Sequence, residues 1–186
     1  MTLYVYVDNS NIWIEGQRIQ AVRTGLAPDI RTALTQKLTA PWSYDFGRLY
    51  GLLCPPGDYI GRSVLFGSKP PANDSIWQRV READFEVETF DRSTFTNKEK
   101  QVDIALSTRM MEDSFTYMKA ANGDTAVLAA GDGDFLPTIK SLQGRGLRVR
   151  VVSWSHAVSH QLRDSADEFV ELDTYFDHLT RTAPTT

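Results

Sequence analysis

Two apolar stretches of the sequence end in aspartate. Residues 4–7 lead directly into Asp8, and residues 127–130 lead through one glycine to Asp132, with Asp134 two residues later. If both stretches are neighbouring strands of a parallel sheet, their carboxyl ends share the edge where such sheets bind ligands. Carboxylates held close together need a cation or a proton between them. Oxygen ligands of this kind favour Mg²⁺ or Mn²⁺ bound together with a substrate phosphate.

Each of these aspartates also has a plainer interpretation. Asp132 and Asp134 can turn the chain and cap the next helix. Asp103, at the start of a long helical pattern, can be a first-turn acid favoured by the helix dipole, an effect of about 0.3–1 kcal/mol. Asn11, one helical turn after Asp8, can hold a metal-bound water or a phosphate oxygen, or can belong to a helix cap. The two strand-ending aspartates together favour metal binding.

The elements that must position these residues alternate between strand-length apolar runs and helical patterns, which is typical of a mainly parallel α/β sheet. Residues 25–44, with glycine and proline breakers, are predicted as an insertion or lid, in which Trp42 and Tyr44 can pack or face a ligand. No linker or repeat indicates a second domain. Strands are predicted at 3–7, 62–66, 85–90, 125–130, 147–153 and 169–172, and helices at 9–23, 45–54, 73–83, 102–120, 135–143, 156–164 and 174–180.

Several side chains are predicted to be structural. Ile104, Met111, Phe115 and Met118 follow one helical face, which predicts core packing. Cys54, the single cysteine, is predicted to be a buried structural thiol. In a separate stretch, His156 and His160 have metal-ligand spacing but no third ligand, so they are predicted to face solvent.

The composition excludes several classes of protein. The chain of 186 residues suits one domain, and its net charge of −4 argues against general coating of nucleic acid, which depends on lysine and arginine. The opening residues have neither a basic region nor a long apolar run, so we expect no signal sequence and no membrane partner. The lone thiol favours a cytoplasmic location.

Three blocks of the sequence, in order, resemble the NYN domain, a branch of the PIN-like nucleases, and in particular its bacterial LabA-like (DUF88) group. The blocks are Val-Tyr-Val-Asp-Asn-Ser-Asn at 5–11, Lys-Gln-Val-Asp-Ile-Ala-Leu at 100–106 and Ala-Ala-Gly-Asp-Gly-Asp-Phe-Leu-Pro at 129–137, and a weaker fourth lies at 162–172. The resemblance implies one PIN-like domain over residues 1–186. It implies a three-layer α/β/α sandwich, divalent metal, and phosphodiester hydrolysis, usually of RNA.

The resemblance also implies roles for individual residues. Asp8, Asp103, Asp132 and Asp134 would be the catalytic acids, the first three of them also metal ligands, with Asn11 as a polar helper. The family often has a second aspartate in the long helix where this chain has Arg109. A guanidinium there cannot ligate a cation, so it either leaves one metal instead of two or binds substrate phosphate.

The sequence leaves open how the substrate is bound and whether the domain is catalytic. Lys100 is a basic candidate for guiding the substrate, beside Arg109. The competing hypothesis is a non-catalytic domain of the same fold that binds RNA or a protein, and metal-stimulated cleavage separates the two. The sequence leaves open whether the protein is a homo-oligomer.

Overall fold

A computed structural model describes residues 1–68, 75–90 and 98–182, apart from the side chains of residues 98–100. Its sheet has six strands in the order β3-β2-β1-β4-β5-β6, and every neighbouring pair is parallel. This confirms the predicted α/β class. The strands are β1 (Thr2–Asp8), β2 (Tyr59–Ser68), β3 (Glu86–Phe90), β4 (Thr125–Ala129), β5 (Arg148–Ser153) and β6 (Glu168–Glu171).

Helices cover both faces of this sheet. They are α1 (Asn9–Arg23), α2 (Ile30–Thr35), α3 (Phe46–Leu53), α4 (Ser75–Glu82), α5 (Lys98–Thr116), α6 (Leu136–Gly144), α7 (His160–Ser165) and α8 (Phe176–Leu179), with 3₁₀ turns at Ala120–Asn122, Gly133–Phe135 and Leu172–Tyr175. Among the described residues, no helix has the length and apolar character that crossing a membrane requires.

Alternating side chains of the strands build two cores. In β1, Leu3, Val5 and Val7 pack with α1, α3, α4 and α8, whereas Tyr4 and Tyr6 pack with α5, α6 and α7. Because successive side chains of a strand point to opposite faces, a strand covered on both sides is apolar throughout. The result is the predicted three-layer sandwich.

The order of the strands reverses between β1 and β4. The chain builds outward from β1 through β2 to β3, and then returns to place β4 on the other side of β1. In this pair Val7 lies opposite Ala129, so both strands end at the same level. The crevice that such a reversal leaves at the carboxyl edge is the usual ligand site of doubly wound sheets.

The predicted apolar face of the long helix is partly wrong. Ile104 and Phe115 are 65% and 66% exposed, whereas Val102, Leu106 and Met110 are buried. The buried residues recur every four positions, which is also a helical face. Two overlapping faces of α5 are apolar, and only the packing against the sheet distinguishes them.

The segment 25–44 ends in the core. Trp42 and Tyr44 are both buried, and the ring of Trp42 stacks on Phe176 with centroids 5.1 Å apart. Of the two alternatives open for these aromatic residues, the structure shows packing, although Tyr44 also borders a cavity described below. The description of the segment as an insertion or lid stays a prediction.

Cys54 is buried, as predicted. Burial raises the pKa of its thiol to about 11, so the thiol is protonated and unreactive at neutral pH.

Candidate active site at the switch point of the sheet

Asp8 is the last residue of β1 and the N-cap of α1. Its Oδ1 accepts hydrogen bonds from Ser10 Oγ at 2.7 Å and from the backbone N–H of Asn11 at 3.1 Å. The side chain is buried. These bonds fix the orientation of the carboxylate beside the N-terminus of a 15-residue helix, where backbone N–H groups and the helix dipole attract anions.

Asp132 lies across the crevice, in the turn that follows β4. Its Oδ1 accepts a hydrogen bond from the backbone N–H of Asp134 at 2.9 Å, so it caps the 3₁₀ turn at Gly133–Phe135. Both Asp132 and Asp134 are exposed. The capping role that the sequence offered as the plainer alternative is therefore present, and it occupies one oxygen of the Asp132 carboxylate.

Gly131 lets this turn pack closely against the loop after β5. A Cβ at this position would lie 2.6 Å from the carbonyl oxygen of Ala157 and 2.7 Å from Ser153 Oγ. The backbone N–H of Ser159 also donates to the Gly131 carbonyl at 2.9 Å. Glycine at this position therefore allows a close approach to the protein's own backbone.

Asp103 lies at the same edge of the sheet. Lower on α5, Asp113 pairs with Arg62, and four residues earlier Arg109 pairs with Glu88. Glu88 aligns with Phe66, and Phe66 aligns with Asp8, so the partner of Arg109 lies at the level of Asp8. Arg62, the partner of Asp113, aligns with Tyr4, nearer the amino edge of the sheet. Therefore α5 runs from the carboxyl edge of the sheet toward its amino edge. Asp103 precedes Arg109 by six residues, about 9 Å at ~1.5 Å per residue. It therefore stands above the level of Asp8, and α5 also contacts the 3₁₀ turn after Asp132.

Two buried oxygens near this crevice have no hydrogen-bond partner among the described residues. They are Oδ1 of Asn11, in the first turn of α1, and Oγ of Ser153, at the carboxyl end of β5. Buried polar atoms are normally satisfied, and an unsatisfied one costs about 1–3 kcal/mol. Their position suits a polar ligand or a bound water.

Arg109 is already engaged within the protein. Its Nη2 lies 2.5 Å from Glu88 Oε1, and its side chain is about one-third exposed. The side chain of Lys100 lies outside the described residues. Neither predicted role in substrate binding is tested by these contacts.

A family model of the NYN domain matches residues 3–173. This chain belongs to the NYN domain family. The match confirms the resemblance found in the sequence and agrees with a place in the PIN-like nuclease superfamily, while the narrower LabA-like assignment stays a prediction. No protein of curated function matches the sequence.

The fold of this NYN domain is also found in a solved structure. The crystal structure of a protein of unknown function from Vibrio parahaemolyticus superposes with a TM-score of 0.69, covering 97% of this chain and 96% of that chain. The two sequences are 16% identical. At this level of identity the similarity shows a shared fold and nothing about activity.

NYN and PIN-like nucleases usually use divalent metals, so the donor set of this NYN domain matters. Within residues 1–68, 75–90 and 98–182, no three His, Cys, Asp or Glu side chains are grouped closely enough to hold a metal ion. The edge does offer carboxylate oxygens from neighbouring strands and the unpaired amide oxygen of Asn11. Mg²⁺ commonly takes one or two carboxylates and fills its remaining positions with water and substrate phosphate. The donors fit a hydrated ion of this kind.

The NYN domain also contains a buried hydrogen-bonded contact that sequence reasoning missed. His156 Nε2 lies 3.1 Å from Glu15 Oε2, and Arg18 also pairs with Glu15. The side chain of His156 is 7% exposed, so the prediction that it faces solvent is wrong, whereas His160 is exposed as predicted. Burial raises the pKa of Glu15, but the hydrogen bonds from His156 and Arg18 outweigh it and lower the pKa overall.

This pair links α1 to the loop that supports the turn of Asp132. Glu15 lies on α1, and His156 precedes Ala157, whose carbonyl contacts Gly131. No signal in the sequence identifies it, because the two residues are 141 positions apart.

Proposed function

We propose that this NYN domain is a divalent-metal-dependent nuclease that hydrolyses phosphodiester bonds of RNA. The observation that carries the proposal is the placement of Asp8 and Asp132 at the carboxyl ends of adjacent strands, on either side of the switch point of the sheet. Membership of a nuclease-like family supports the reaction class.

Asp8, Asp103 and Asp132 would hold Mg²⁺ or Mn²⁺, which requires their side chains to move together, because no three acids among the described residues are grouped closely enough to hold a metal ion. When bound, such an ion polarises the phosphate and lowers the pKa of a bound water. Asp8 is held in place for this role by Ser10 and the backbone of Asn11, whereas Asp132 is accessible from solvent. Asp134, two residues after Asp132, adds a second exposed carboxylate that can accept a proton or bind a water of the hydrated metal ion.

The remaining residues of the site would bind the substrate. The N-terminus of α1 offers its dipole to a phosphate, and the amide of Asn11 can hold a phosphate oxygen or a water. Lys100 and Arg109 would guide the strand toward the acids. Arg109 is paired with Glu88, so a phosphate of the substrate would have to replace the Glu88 carboxylate at its guanidinium group.

A cleavage assay tests the proposal. Labelled single- and double-stranded RNA and DNA are incubated with Mg²⁺, Mn²⁺ or EDTA, using wild type, Asp8→Asn, Asp132→Asn and, as a matched control, Asp164→Asn. Asp164 is an exposed acid on α7 that is not among the predicted site residues. We expect metal-dependent cleavage of RNA by wild type and Asp164→Asn only. Equal activity in Asp132→Asn would remove that residue from the site.

The competing function is a non-catalytic domain that binds RNA or a protein. It is favoured by the absence of a three-acid group among the described side chains. Binding of RNA without cleavage under any metal condition would support it and would overturn the nuclease proposal.

A further inference from the structure

A cavity of about 410 Å³ lies beside Asp8, on the opposite face of the sheet from α5. Small-molecule sites are typically about 300–1,000 Å³. Asn9 and Ser10, the two residues after Asp8, form part of its wall, and Ser10 Oγ donates to Asp8 Oδ1 at 2.7 Å. The side chain of Ser10 therefore links the wall of the cavity to Asp8 of the candidate active site.

Aromatic rings form much of the wall. Trp13, Tyr44, Phe46 and Trp77 all border the cavity. The polar ends of two of them are already used, because Trp13 Nε1 donates to the Trp42 carbonyl at 2.7 Å and Tyr44 Oη donates to Asn9 Oδ1 at 2.6 Å. Burial, and after it the Asp8 carboxylate, raise the pKa of Tyr44 above its usual range, so this hydroxyl stays a donor. These residues offer ring surface to an occupant.

The same wall also carries an indole N–H and two guanidinium groups. The indole N–H of Trp77, whose ring borders the cavity, is buried and has no hydrogen-bond partner among the described residues. Arg79 and Arg181 also border it, and neither guanidinium has an ion pair with another described residue. An occupant that matches the rings and the two guanidinium groups has a flat ring and an attached anion.

We propose that this cavity binds one nucleobase of the substrate strand, with the guanidinium groups of Arg79 and Arg181 at the adjoining phosphates. The inference rests on the proposed function and adds to it a pocket that positions the strand beside Asp8. Bases stack on aromatic side chains, and Arg binds phosphate in a fixed planar geometry. A purely aliphatic ligand would leave the cations unused, and inorganic phosphate would leave the rings unused. A local pocket also suits a protein with a net charge of −4, which cannot rely on general attraction to nucleic acid.

Calorimetry with AMP, GMP, CMP and UMP in EDTA tests the pocket without metal and without cleavage. We expect at least one nucleotide to bind wild type, and Phe46→Ala to weaken that binding by roughly tenfold, the size of one lost stacking partner. Ile14→Trp, which places a ring inside the cavity, should abolish binding while the melting temperature stays close to that of wild type.

The arginines are tested by comparing a nucleotide with its nucleoside. Arg79→Ala should weaken binding of the nucleotide and leave that of the nucleoside unchanged. Arg31→Ala is the matched control, because Arg31 is an exposed arginine on α2 that does not border the cavity. It should behave as wild type.

Failure of the pocket and failure of the nuclease proposal give different results. If no nucleotide binds, or if a folded Ile14→Trp variant binds as tightly as wild type, the pocket assignment is wrong, even if RNA is cleaved. If nucleotides bind wild type and not Ile14→Trp while no RNA is cleaved, the pocket stands and the nuclease proposal falls.

Discussion

Asp113 and Asp132 lie in opposite environments of the same molecule. Asp113, on α5, is buried and accepts hydrogen bonds from Tyr6 Oη at 2.8 Å and from Arg62 Nη1 at 2.9 Å. Burial, followed by the charge of Asp113, raises the pKa of Tyr6 far above its usual range, so the phenol stays protonated and donates. Asp132 is exposed, and the hydrogen bond it accepts comes from the backbone of Asp134.

The difference separates an acid used for folding from an acid left available for a ligand. A buried charge must be paired, and Asp113 obtains both of its partners from the protein. Asp132 needs no such pairing, because water solvates it and a metal ion can replace that water. The distinction predicts opposite effects of mutation, which the next four experiments measure.

The largest effect is expected for Asp113→Ala. The change leaves the buried hydroxyl of Tyr6 without its acceptor and Arg62 with only the exposed Glu86 as a partner, and loss of one member of a buried pair costs up to about 3–5 kcal/mol. Urea unfolding measures the loss. Glu112→Ala is the matched control, because Glu112 is the exposed neighbour on the same helix, and it should change stability by less than about 0.5 kcal/mol. Similar values for the two variants would contradict the comparison.

The second effect concerns metal. A ligand that binds only the folded state adds about 2.7 kcal/mol of stability at ~100-fold excess over its Kd. We expect Mn²⁺ or Mg²⁺ to raise the melting temperature of wild type and to have no effect on Asp132→Asn. Scanning calorimetry with and without metal gives the answer. A full metal response in Asp132→Asn would make Asp132 a structural residue like Asp113.

The metal-free proteins provide the control for this experiment. Asparagine caps about as well as aspartate, so Asp132→Asn should be as stable as wild type without metal, whereas Asp132→Ala should lose about 0.5–2 kcal/mol as a missing cap.

The third effect is a pH dependence at Glu15, an intermediate case between the two acids. Its pKa is lowered in the folded state from the ordinary 4.5. The ionised form is therefore favoured by folding, and this contribution is present above about pH 4.5 and is lost as the pH falls through the folded-state pKa. The free energy of unfolding of wild type should decline more steeply in this acid range than that of Glu15→Gln. Parallel curves would show that Glu15 contributes no such linkage.

The smallest effect on stability is expected for the pair of Arg109 and Glu88. Surface ion pairs contribute about 0–1 kcal/mol and this pair is about one-third exposed, so Glu88→Gln should unfold nearly as wild type. If Arg109 contacts phosphate, Glu88→Gln should bind RNA more tightly and Arg109→Ala more weakly, with the salt dependence of binding reduced by about one charge. Unchanged affinity in both variants would place Arg109 outside the substrate path. Arg109→Asp, which restores an acid at this position, should raise the metal stoichiometry only if the residue faces the site.

The strand-ending acids could be predicted because their position follows from local sequence. An apolar strand followed at once by Asp8, and another followed by Asp132, places both at one edge as soon as the strands are neighbours. The predicted sheet and most of its helices are confirmed for the same reason. Apolar periodicity is a local signal.

Features that depend on distant contacts could not be predicted in this way. The helical spacing of Ile104 and Phe115 predicts core packing, but Phe115 is exposed and the guanidinium of Arg145 lies 3.7 Å from the centroid of its ring. The lack of a third metal ligand predicts that His156 faces solvent, and its actual partner, Glu15, is 141 positions away in the sequence. The cavity has walls from α1, α3, α4 and residue 181, a combination that no local pattern contains.

The hydrogen bonds between residues 42–45 and residues 179–180 have a consequence for synthesis of the protein. Trp42 Nε1 donates to Thr180 Oγ1 at 2.8 Å, across 138 positions of the chain, and the backbone N–H of Asp45 donates to the Leu179 carbonyl at 2.8 Å. Residues 42–45 leave the ribosome long before their partners exist. We therefore expect the wall that contains Tyr44 to close only after residues 179–180 have left the ribosome, so that a nascent chain with β1 already formed has no closed cavity beside Asp8.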